Sequence, residues 1–82
     1  MQRSNLRALL RQMRREQGSW VRVARVLGIR RQSVKGFFDG DEPGNMALAR
    51  SIATATKLDL EAALAGHFVI GAKGIRPIGG AR

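Results

Sequence analysis

Arg31 and Gln32 each offer a pair of parallel hydrogen-bonding groups, the geometry by which Arg engages guanine O6/N7 and Gln engages adenine N6/N7. Lys35 follows one helical turn later, on the side opposite Val34, Phe37 and Phe38. Ser33 adds a hydroxyl to the set. Upstream, Arg22, Arg25 and Arg30 carry charge on long stems, which is all that a phosphate contact requires. Arg25 also reads simply as an exposed arginine. Trp20 has two readings: its indole N–H donates to a phosphate oxygen, or its ring packs as an amphipathic anchor at a helix start. The competing reading of the whole group is a solvated arginine-rich surface that touches phosphates only.

The charge balance narrows the partner. Fifteen Lys and Arg against six Asp and Glu give a formal charge of +9, and twelve of the fifteen are Arg. Residues 1–38 hold ten of these cations and a single acid, Glu16, whereas residues 39–66 hold two cations and five acids. Arginine concentrated on one part of a domain is the electrostatic footprint of a nucleic-acid binder, because phosphate neutralisation supplies sequence-independent affinity. A membrane surface is the competing anion. Without cysteine, and with His67 as the lone histidine, neither a disulfide framework nor a metal cluster is expected. No catalytic residue and no cofactor is assigned, since histidine–carboxylate pairing and a phosphate-cradling glycine loop are both missing. No apolar run approaches the roughly 20 residues of a membrane span. A soluble cytoplasmic protein is expected.

Eighty-two residues suit one core. Leu6, Leu9, Leu10 and Met13 lie at helical spacing and predict a first helix over Ser4 to Gln17, stopped by Gly18. Its Arg7, Arg11, Arg14 and Arg15 fall on the other faces and read as solvated. Ser19 stands as the N-cap of a second helix, Trp20 to Leu27, with Val23, Ala24 and Leu27 inward. Gly28 ends it, and a third helix runs from Arg31 to Phe38, closed by Gly40. Asp39 to Asn45 is a loop rich in turn formers and acids. Helix four spans Met46 to Thr56, and Asp59 caps a fifth, Leu60 to Ala65. The Gly-rich remainder has no helical period. It reads either as a short strand or hairpin around Phe68–Ile70 and Gly74–Ile78, paired with itself or a second subunit, or as a loose basic arm.

The segment WVRVARVLGIRRQSVKGFFDG resembles the helix-turn-helix of the lambda repressor and Cro family. The match rests on Ala24 as the small residue between two helices, Leu27-Gly28-Ile29 as the turn, and Val34 and Phe37 as anchors of the recognition helix. It continues through FFDGDEPGNMALARSIATATKLD, covering roughly residues 4 to 65. The resemblance implies an all-α, five-helix domain over 1–66 with a tail over 67–82, homodimeric on partly palindromic double-stranded DNA, with the third helix in the major groove. Trp20, Arg22, Arg30, Arg31, Gln32, Ser33 and Lys35 are then the DNA-contacting set. Three positions depart from the family: Trp20 replaces a common Gln, Arg30 replaces a capping Ser or Thr, and Gly36 sits inside the recognition helix.

The leading expectation is a sequence-specific transcriptional regulator acting as a repressor. The alternative is an antitoxin-like interaction module whose tail over 67–82 binds a partner protein. A non-specific RNA or chromatin protein fits less well, because Trp20 is the only obvious exposed stacking platform.

Overall fold

A computed structural model describes residues 3–78. Five helices precede two strands: α1 Arg3–Gln17, α2 Trp20–Leu27, α3 Arg31–Asp39, α4 Met46–Thr56, α5 Leu60–Ala65, β1 Phe68–Gly71 and β2 Gly74–Pro77. The apolar stripe of α1 becomes the centre of the molecule. Leu6, Leu9 and Leu10 are fully buried, and α1 packs against every other helix and against β2. Val23, Ala24, Leu27, Val34, Phe37, Leu48, Ala49, Ile52, Ala53, Leu58 and Ala63 close around it. Among the described residues no polar or charged side chain is buried, so the core demands no internal hydrogen-bond network.

The helix ends follow from local chemistry. Ser19 Oγ accepts from the Arg22 N–H at 3.2 Å and Asn45 Oδ1 from the Leu48 N–H at 2.9 Å, satisfying first-turn donors that would otherwise lack partners. Asp59 departs from expectation. It precedes α5, but its carboxylate makes no capping bond, and only its carbonyl takes part, accepting from the Ala63 N–H at 2.9 Å.

Lys57 ends α4 with φ 61 and ψ 35, the one non-glycine positive φ among the described residues. The Leu58 N–H reaches back to the Ala53 carbonyl at 2.9 Å and buries Leu58, so the chain must take this left-handed step whatever residue occupies it. A β-carbon in that conformation costs about 1–2 kcal/mol, part of which glycine gives back through its freer unfolded chain. Lys57→Gly is therefore expected to raise stability by about 0.5–1 kcal/mol. A melting temperature higher by a few degrees in a circular dichroism scan checks it, and a lower one refutes it.

The tail settles between its two readings as a hairpin paired with itself. Phe68 faces Pro77, Val69 faces Arg76, Ile70 faces Ile75 and Gly71 faces Gly74 in antiparallel register. Phe68 and Ile75 pack on the core, and the Ile78 N–H donates to the His67 carbonyl at 3.1 Å, closing the base. The fold is thus five helices plus a small sheet. Positions 79–82 of the 67–82 tail lie outside the described residues.

Candidate nucleic-acid interface

The geometry of α3 depends on how α2 ends. Gly28 adopts φ 68 and ψ 29, its N–H donating to the Arg25 carbonyl at 3.2 Å while the Ile29 N–H donates to the Ala24 carbonyl at 3.1 Å. This pair of bonds reverses the chain in three residues and returns Ile29 to the core. Ala24 is buried on the inner face of α2, and α2 packs against α3.

Val34 and Phe37, fully buried, fix the rotation of α3. Its other side carries Arg31, Gln32, Lys35 and Asp39 toward solvent. Arg30 occupies the N-cap position with no side-chain cap; its carbonyl accepts from the Ser33 and Val34 amides at 3.0 and 3.2 Å. Its guanidinium is thereby left exposed. Arg25, Arg30 and Arg31 share the rim of an open cleft of about 490 Å³ floored by Val21, Ala24, Gly28 and Ile29. Arg25, which by sequence could be merely an exposed arginine, joins Arg30 and Arg31 there; Arg22 is exposed elsewhere on α2.

The two ends of α3 differ in charge. The N-terminal end combines Arg30 and Arg31 with the positive pole of the helix, whereas Asp39, Asp41 and Glu42 follow one another at the C-terminal end. Lys35 Nζ lies 2.6 Å from Asp39 Oδ2, an exposed i, i+4 pair. Lys35 therefore starts from an ion pair rather than as a free cation.

Several predicted site residues lie away from this exposed face. Ser33 is half-buried in the groove between α3 and the start of α4, beside Ile29, Glu42 and Leu48. Trp20 packs: its ring centroid is 4.8 Å from that of Phe38, tilted by 50°, and it rests on the core. Gly36 faces the acidic loop. A β-carbon there would come within 3.1–3.3 Å of the Glu42 side chain, and the Gly36 carbonyl accepts from the Asp41 and Glu42 amides at 2.9 and 3.2 Å. The glycine leaves room for the exposed Glu42 side chain.

The α1 arginines correct the reading of a uniformly solvated face. The Arg7 guanidinium lies over the Phe37 ring at 5.4 Å and its Nε donates to the Phe37 carbonyl at 3.2 Å. Arg11 lies over Phe38 at 5.7 Å. Both contacts come from the rotation of α1 against α3, although the i, i+4 spacing of the two arginines beside the leucine stripe was a visible trace of it.

The arrangement gathers exposed cations and one amide at one helix end. Among the described residues no group of three or more His, Cys, Asp or Glu could hold a metal ion, and no helix is long and apolar enough to cross a membrane. No protein-family model, curated protein or solved structure matches the chain.

Proposed function

We propose that the chain is a sequence-specific double-stranded DNA-binding regulator, a cytoplasmic helix-turn-helix protein of the lambda repressor and Cro type that acts as a homodimeric repressor. The observation that carries this reading is the α2–Gly28–α3 unit: it buries Val34 and Phe37 completely and leaves Arg30, Arg31 and Gln32 exposed together at the N-terminal end of α3. A helix docked by this end sets guanidinium and amide groups against base edges in the major groove. Arg25 and Arg30 then hold phosphates and fix the register, and Arg31 and Gln32 read sequence.

Selection from a random duplex pool at physiological salt tests the proposal. A palindromic motif is the expected product, reporting base reading and dimer symmetry together. Enrichment of no motif, with equal retention of random RNA, would exclude sequence-specific recognition.

Asp39 sets a limit on non-specific binding in this reading, because it holds Lys35 and repels phosphate. Asp39→Asn is expected to cost no more than about 0.5 kcal/mol of stability. It is also expected to raise affinity for random-sequence duplex several-fold, with a steeper salt dependence. Fluorescence anisotropy over a series of salt concentrations measures both; unchanged affinity would mean that Asp39 and Lys35 lie outside the contact.

One observation favours a protein partner in addition. Val69, Ile70 and Ile78 are 48%, 37% and 55% exposed on and beside the hairpin, an apolar surface that DNA binding leaves unused. A stoichiometric partner that co-purifies only when residues 67–82 are present would support the antitoxin-like reading.

A further inference from the structure

Arg11 has a more specific placement than its neighbours on α1. Its guanidinium lies over the Phe38 ring at 5.7 Å, and the same ring meets Trp20 at 4.8 Å. Arg7, one turn earlier, donates its Nε to the Phe37 carbonyl and is half-buried. Arg11 remains exposed, and among the described residues its guanidinium makes neither a hydrogen bond nor an ion pair within the chain.

Stacking occupies the face of a guanidinium and leaves its edge free to donate. The Arg11 guanidinium rests over the ring with its N–H groups unspent. Phe38 belongs to the last turn of α3, whereas Arg30 and Arg31 stand at its first. Phe38 lies seven residues after Arg31 and eight after Arg30, which at about 1.5 Å each separates these levels of the helix by roughly 10–12 Å, close to the ~12 Å width of the B-DNA major groove. The nearest acid on α3, Asp39, is already engaged by Lys35.

We propose that Arg11 is a phosphate-binding residue, held by Phe38, that grips the DNA strand across the groove from Arg30 and Arg31. The inference rests on the DNA-binding reading and adds to it a contact from outside the helix-turn-helix. It also assigns the Trp20–Phe38 pair the task of positioning that contact, where the sequence offered Trp20 itself as the phosphate donor.

The experiment measures affinity of the full chain for a random-sequence duplex across a range of salt. Arg11→Gln is expected to make the slope of log affinity against log salt shallower by about 0.9, and to lower affinity roughly fivefold at about 0.15 M salt. Arg11→Lys keeps the charge and is expected to retain the wild-type slope. Arg50→Gln makes the same charge change on α4 and is expected to leave the slope unaltered. A wild-type slope for Arg11→Gln overturns the proposal, as does an equal loss in Arg50→Gln, which would reduce Arg11 to one part of a general field. A wild-type chain that binds no duplex overturns the underlying DNA reading and this contact with it.

Discussion

Phe37→Ala is expected to lower the unfolding free energy by about 3–5 kcal/mol, the cost of deleting a fully buried aromatic ring when its surroundings relax only in part. A domain of this length holds in total only roughly 4–12 kcal/mol. The single change therefore removes about a quarter or more of the stability. Phe37 is fully buried and belongs to the same core as Leu6, Leu9 and Val34, and its ring carries the Arg7 guanidinium on one face. Deleting the ring leaves a cavity and strips Arg7 of its platform at once. Urea unfolding checks the prediction, with the transition midpoint moved strongly and its slope conserved while two-state behaviour lasts. A shift equivalent to less than about 1 kcal/mol would mean that α3 is not anchored as described. Phe37→Leu, which refills much of the space, is expected to cost far less.

This core was largely readable before any coordinates, because burial imposes a period of 3.6 residues and the chain obeys it. Leu6, Leu9, Leu10 and Met13, then Val23, Ala24 and Leu27, then Val34 and Phe37, all fall inward where their spacing puts them. The left-handed steps at Gly28 and Gly40 were equally legible, since positive φ and glycine go together. Lys57 was not, for it makes the same step without the usual residue. The hairpin left two readings open for a related reason. Its turn residues Ala72 and Lys73 are not at positive φ, and the unusual backbone falls one place later, on Gly74 with φ 103. The Asn-Gly type of signal that marks a two-residue hairpin is consequently missing.

The candidate site was legible in part. Helical geometry set Arg31, Gln32 and Lys35 opposite the anchors of α3, but it could not show that Lys35 is engaged by Asp39 or that Ser33 turns toward α4. Arg7 and Arg11 escaped because a guanidinium over a ring depends on the angle between two helices far apart in sequence. Gly36 escaped because its neighbour Glu42 arrives through an irregular loop. Contacts along one helix follow from spacing; contacts between elements follow from packing.

Arg30→Ala combined with Arg31→Ala is expected to lower duplex affinity by roughly a hundredfold at about 0.15 M salt while leaving the fold intact. The two losses differ in kind. A phosphate contact at Arg30 contributes charge alone, so its removal weakens binding to every sequence about fivefold and makes the salt slope shallower by about 0.9. A bidentate contact from Arg31 to guanine contributes about 1–3 kcal/mol of discrimination, so its removal relaxes preference at one base pair. Stability is spared because both guanidinium groups are exposed and neither makes a hydrogen bond or ion pair among the described residues, while the Arg30 carbonyl that starts α3 survives the substitution. Anisotropy titrations of each single variant and the double, with thermal unfolding of the same samples, separate these effects. If Arg31→Ala weakened all sequences equally, α3 would touch phosphates only and the recognition helix would lose its reading role. If the double variant bound as tightly as the parent at every salt concentration, the N-terminal end of α3 would not be the face that meets DNA.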